Sequence, residues 1–176
     1  MNDLAATVLD IASNGVRANA SIIQISIHES KQYDFFRLII QDNGKGMDEE
    51  TINQALNPFY STRTTRSIGM GLPLLNDLAK GCNGSLNIDS KVGVFTKVLL
   101  EIQRSHIDVP PMGDIGEAIM ILIQSNDRIH YIFNYQNDEE SYQLDTNEVK
   151  EVLETDSLND YMILNWIKEN VNHNFK

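Results

Sequence analysis

The chain has 176 residues, 41% hydrophobic and 22% charged, enough for one sizeable core in an ordinary soluble globular fold. No apolar run reaches the ~18–20 residues that span a bilayer. The start, Met1-Asn-Asp-Leu-Ala-Ala, lacks the basic and apolar regions of a signal peptide, and the single cysteine, Cys82, excludes an internal disulfide. A cytoplasmic chain without membrane contact is expected. The net charge of −11 is uneven: residues 1–104 carry −1 and residues 105–176 carry −10. A polyphosphate is better hosted by the near-neutral part. No basic stripe is present to replace nucleic-acid counterions, so nucleic acid is not expected as a partner.

Helical spacing of Leu4, Val8, Leu9, Ile11 and Ala12 predicts a helix over 3–17, with Asn2 or Asp3 as cap. Strands follow at 22–28 and 35–41, joined by a polar turn. A helix over 48–55 carries acidic residues in its first turn, where the macrodipole favours them. Residues 57–68 have no period, are dense in Ser, Thr and Arg, and read as a loop. A helix over 71–80 then leads through Gly81-Cys-Asn-Gly84 to strands at 85–90 and 94–102, with Cys82 expected as a buried helix-end residue. Val109-Pro-Pro-Met-Gly113 marks a boundary, since two prolines exclude helix and break a sheet ladder. Beyond it come a helix over 114–124, a hairpin at 128–135 and 141–145, and helices over 147–154 and 158–171. Asp145 with Glu148 fits a capping box, and Thr155 or Ser157 is expected to start the last helix.

The expected fold is an α/β (α+β) two-layer sandwich, a four-stranded mixed sheet covered by helices, plus a small C-terminal α+β domain. The divisions are 1–104, a linker over 105–113, and an acidic 114–176 unit too small to be very stable unless it docks on the first part.

The strongest local signal is Asp42-Asn-Gly-Lys-Gly-Met47 after an apolar strand. A buried carboxylate there can accept the exocyclic amino group of adenine, while Gly44 and Gly46 let the backbone pass close under the ring. A hairpin turn or a calcium-binding loop would give similar letters. On the first helix, Asp10, Asn14 and Arg17 stand at i, i+4 and i+7 and share one face. They supply a carboxylate, an amide oxygen suited to magnesium and a cation suited to phosphate, although any amphipathic helix has a polar stripe. In 57–72, Gly69-Met70-Gly71-Leu72 precedes a helix whose free amides can bind phosphate oxygens. Arg63 and Arg66, with Thr62 among the neighbouring hydroxyls, suit a loop closing over a triphosphate, or else a solvated polar loop. Val94-Phe-Thr96-Lys offers a hydroxyl that can point back toward Asp42.

The order of Asp10-to-Asn14, DNGKGM, NPFYSTR, GMGLPLL and GVFTKVLL resembles the ordered boxes of the GHKL, or Bergerat-fold, ATPases. That superfamily takes in sensor histidine kinases, gyrase B, MutL repair proteins and anti-sigma kinases. The resemblance covers about residues 3–102. It implies that Asp42 binds adenine, that Asn14 holds magnesium and that Gly69 to Leu72, with Met70, contacts phosphate. Asp42, Gly44, Gly46, Met47 and Thr96 then line the adenine end. Residues 57–68 would be a short ATP lid with Phe59 as its anchor. The whole chain also resembles small stand-alone bacterial ATP-binding proteins near hydrogenase or redox-complex components, which yields no established activity.

Hydrolytic members of the superfamily carry a glutamate four residues before the magnesium asparagine; here Asp10 stands there, a carboxylate one methylene shorter. It can serve as a general base if it reaches the attacking water. Arg17 is similar instead to the basic residue that kinases place three residues after the asparagine. Only nine residues precede Asp10, so no phosphoacceptor hairpin is expected, and His106 reads as a linker histidine rather than a phosphosite. His28, His130 and His173 have no metal-ligand spacing. The expected activity is slow magnesium-dependent ATP turnover, or phosphotransfer to a separate, unidentified protein partner. The alternative is a non-catalytic, nucleotide-gated binding protein, and a homodimer is possible in either case.

Overall fold

A computed structural model describes residues 3–57 and 71–175. Helix α1 (Leu4–Arg17) is capped by Asp3, whose carboxylate accepts from the Ala6 amide at 2.7 Å. Two more of its orphan amides, on Leu4 and Ala5, are taken by the carbonyls of Pro111 and Met112. The 109–113 segment is therefore docked on the first helix. Strands β1 (Ile22–Ser30) and β2 (Phe35–Asp42) form a hairpin, followed by α2 (Glu49–Leu56), which Asp48 caps through the Thr51 amide. After α3 (Gly71–Gly81) come β3 (Ser85–Lys91) and β4 (Phe95–Gln103). Cys82 is fully buried, and burial pushes its thiol up.

The remaining elements are α4 (Ile115–Ser125), β5 (His130–Gln136), β6 (Ser141–Asp145), α5 (Thr146–Val152) and α6 (Tyr161–Asn174). Asp145 caps α5 as expected, accepting from the amides of Asn147 and Glu148. The last helix starts later than expected, at Tyr161, with Asp160 as cap. Thr155 and Ser157 are engaged otherwise: Thr155 Oγ1 donates to the Ser157 carbonyl, and Ser157 Oγ donates to Asp127 at 2.5 Å. A hydroxyl committed to a turn no longer competes for helix amides.

The sheet has six strands, not the expected four, in the order β3-β4-β2-β1-β5-β6. β5 lies parallel to β1, pairing Ile23 with Tyr131, Ile25 with Phe133 and Ile27 with Tyr135. Among the described residues this is the one parallel pair, and it makes the sheet mixed. The extension has a plain cause. Without β5, the apolar strand β1 would be an edge with unpaired amides, and the aromatic alternation of β5 matches its buried face. One face of the sheet carries the core, with Ile25, Ile40, Leu38, Leu100 and Phe133 buried under the helices. α1 packs on β1 and β2, α3 on β3 and β4, and α4 bridges α1 and α6. The opposite face is polar, with Gln24, Gln41, Lys97 and Asp89 in one cross-strand row.

Carboxylates tie the turns together. Asp138 accepts from Ser30 Oγ and the Lys31 amide, which holds its carboxyl below the usual range. Asp34 is lowered by Gln103 and Ser105, and Asp127 by Ser157. These groups ionise more readily folded than unfolded, where the value is ~3.9. Their stabilisation is thus complete above that value and is lost as pH falls through the lower folded values. Thermal melts are expected to show a steady decline in Tm below about pH 4. A Tm unchanged down to the acid limit would mean these tethers contribute nothing.

Candidate functional site

Asp42 ends β2 on the buried face, with 8% of its surface exposed. The β2–β4 register sets Thr96 directly beside it, and the β3–β4 register sets Ser90 beside Thr96. Ser90 Oγ lies 3.0 Å from Thr96 Oγ1 and accepts from the Met47 amide at 2.8 Å. Burial pushes the Asp42 carboxyl up; the Gly44 amide, donating to Oδ1 at 2.8 Å, opposes this only in part. A carboxylate is thus retained where solvation of its charge is poor, on a helix-covered face filled mainly by apolar side chains.

The loop after Asp42 is pinned at both ends. Asn43 Oδ1 accepts from the amides of Ser21 and Ile22, Lys45 N donates to the Ala18 carbonyl, and Gly93 N donates to Lys45 O. Gly46 has φ +65°, and the Lys91 carbonyl fills the place a Cβ would take. Gly44 is required by Ala18, whose Cβ lies 2.7 Å from that place. Both glycines are therefore demanded by contacts within the chain itself.

α1 contributes the other wall. Gly15 packs so closely that an added Cβ would meet the Asp42 side chain at 2.9 Å. A helix-interior glycine costs about 1 kcal/mol relative to alanine, so its close approach to Asp42 is the compensating reason. One residue before it, Asn14 Oδ1 accepts from Arg17 Nη2 at 2.5 Å. Arg17 thus engages Asn14 rather than standing free for phosphate. One turn earlier, the Asp10 carboxylate occupies the space beside Cα of Gly71, the first residue of α3. Leu72, next in α3, is buried.

The structure therefore brings Asp10, Asn14, Arg17, Asp42, Gly44, Gly46, Met47, Gly71, Leu72 and Thr96 into a connected set around the ends of α1, α3 and β2. Phe59, Thr62, Arg63, Arg66, Gly69 and Met70 lie outside the described residues. Sequence reasoning missed Gly15 and Ser90. An unexplained glycine within a helical period was a usable signal for the first, whereas Ser90 has meaning only once the strand register is known. The donor set fits a purine nucleotide with a hard cation: an acceptor for an amino group at Asp42, and an amide oxygen ligand at Asn14. Among the described residues no cluster of three His, Cys, Asp or Glu exists to hold a metal ion unaided. His106 Nδ1 accepts from the Asp108 amide, two residues on. No helix among the described residues is long and apolar enough to cross a membrane.

Comparison with known proteins agrees with this fold. Over 101 residues the chain is 33% identical to Sporulation kinase C of Bacillus subtilis (strain 168), covering 56% of this chain and 23% of that protein. Over 99 residues it is 28% identical to Sensor histidine kinase YvrG of the same organism, covering 54% and 17%. The chain thus spans about a fifth of the length of the curated relatives it matches. Among solved structures, the Aquifex aeolicus MutL ATPase domain complexed with ADP aligns with a TM-score of 0.50 at 14% identity. That alignment covers 88% of this chain and 70% of that one, so the likeness of fold extends into the C-terminal segment. The N-terminal domain of a DNA repair protein aligns with a TM-score of 0.53 at 15% identity, over 82% and 53%. Residues 2–106 match the family described as histidine kinase-, DNA gyrase B-, and HSP90-like ATPase. With more than half its length in that match, the chain belongs to this family.

Proposed function

We propose that this protein binds magnesium-ATP in the cleft between α1, α3 and the end of β2, and turns it over slowly. The single observation that carries the reading is the buried Asp42 carboxylate, set between Gly15 and Thr96. It accepts the adenine amino group, and the Thr96 and Ser90 hydroxyls fix the ring edge. Asn14, through its amide oxygen, is the residue to hold magnesium, which when bound neutralises phosphate charge. Asp10 accepts a proton from the nucleophile, either a water or a side chain of a separate protein. The ADP complex of the MutL neighbour supports the choice of an adenine nucleotide.

A second reading is favoured by the contact of Asp10 with Gly71. If that carboxylate serves only to hold the start of α3, the domain is a nucleotide-gated binder without catalysis. Asn14→Ala tests the shared part of both readings. It is expected to weaken magnesium-ATP binding about tenfold, the order of one lost charge-assisted contact, and metal-free ATP binding much less. Calorimetry with equal losses in both conditions would assign Asn14 to tethering Arg17 instead.

A further inference from the structure

The C-terminal segment carries an apolar groove that the nucleotide reading does not use. It lies between α5, α6 and the sheet-edge strand β6, with a volume of about 450 Å³. Its apolar lining includes Val149, Val152, Leu153, Met162, Ile163 and Trp166. Four of these are exposed: Val152 at 80%, Met162 at 78%, Trp166 at 51% and Leu153 at 47%. A cluster of this kind leaves apolar area in water without a partner inside the fold. Methionine and tryptophan are also the residue types enriched where proteins dock.

The rim has one sign of charge. Asp145 and Glu148 line the groove itself. Between residues 141 and 170 the sequence has seven acidic residues against two basic ones. Both basic residues are committed elsewhere: Lys150 Nζ donates to the Asp127 carbonyl, and Lys168 Nζ lies 3.2 Å from both Asp114 and Glu117. Burial alone would push the Asp145 carboxyl up, but the His130 ring and two α5 amides hold it below the usual range, so it stays charged. A second copy of this chain would bring a like-charged rim against this one, and an anionic bilayer would do the same.

We propose that this groove docks a segment of a partner protein in which apolar anchor side chains are flanked by lysine or arginine. The anchors enter between Val152, Met162 and Trp166, and the basic flanks meet Asp145 and Glu148. This mode combines a central apolar contact with a complementary charged rim, which steers association and sets specificity. It stands independently of the nucleotide site, because the groove is built from residues 142–170, beyond the family match at 2–106.

The test is a selection of displayed random peptides on the full chain, counter-selected on a Val152→Lys/Met162→Lys variant. Both substitutions fall on exposed side chains, and an unchanged Tm establishes that the variant is folded. Enriched peptides are expected to combine apolar residues with Lys or Arg. A synthetic winner is expected to shift the emission of Trp166, the sole tryptophan, to the blue. Its affinity should fall at least about tenfold in the variant and decline with salt. Failure to enrich any peptide on the wild type over the variant overturns the proposal, as does enrichment of neutral or acidic sequences. A wild-type dimer that the double substitution dissociates would make a second copy the occupant, and overturns it too.

Discussion

Asp42→Asn is expected to abolish most ATP affinity while raising the thermal stability of the nucleotide-free protein. The affinity loss follows from replacing a charged acceptor by an amide that can present the wrong face to the adenine amino group. A charge-assisted hydrogen bond in a buried site contributes ~1.5–3 kcal/mol, or about tenfold to a hundredfold in affinity. The stability gain follows from burial, which raises the carboxyl of Asp42 above its unfolded value. For such a group, stabilisation is full below the unfolded pKa and is lost as pH rises through the folded pKa. At neutral pH the wild type therefore bears the cost of a poorly solvated carboxylate, and an asparagine removes it. The amide oxygen can still accept from the Gly44 amide. The gain should shrink as pH falls below the ordinary carboxylate range, where Asp42 is neutral in both states. Calorimetric titration with ATP and melting curves at neutral and acid pH measure the two halves separately. A folded variant with unchanged ATP affinity removes the adenine role. A variant no more stable at neutral pH removes the desolvation argument.

Asp10→Asn is expected to reduce ATP turnover by about a hundredfold or more, with ATP affinity within a few-fold of wild type. A positioned general base contributes ~10²–10⁴-fold, and asparagine cannot take a proton. The amide has nearly the same shape, so the contact with Gly71 at the start of α3 should survive. That separation of rate from affinity distinguishes catalysis from scaffolding. If the wild type shows no turnover above solvent hydrolysis, or the variant keeps the full rate, the non-catalytic reading replaces the enzymatic one. A fall in Tm together with lost ATP affinity would place Asp10 among the residues that hold α3.

Much of the fold was legible because its signals are local. Ile23, Ile25 and Ile27 alternate along one strand, and Leu4, Val8 and Ile11 recur at helical spacing; both patterns report a single buried face. The DNGKGM loop was legible for the same reason. A carboxylate ending an apolar strand, followed by two glycines, describes a backbone under steric demand whatever packs on it. The demand itself comes from the chain, since Lys91 and Ala18 occupy the places that glycine side chains would need.

The amino-acid sequence by itself determined the helices, the strands, the acidic C-terminal bias and the face of α1 that carries Asp10, Asn14 and Arg17. The start of the last helix it placed wrongly, at Thr155 or Ser157: Asp160 caps that helix instead, and Ser157 is drawn to Asp127, 30 residues away in the chain. Only the tertiary structure decided that β5 joins β1 in parallel, that Ser90, Thr96 and Asp42 form one row, and that Asp10 meets Gly71. The apolar groove beside β6 also appears only there. Each of these depends on strand register or helix packing between segments far apart in sequence. Periodicity reports which face of an element is buried, while the partner of that face is chosen by the free energy of the whole packed core.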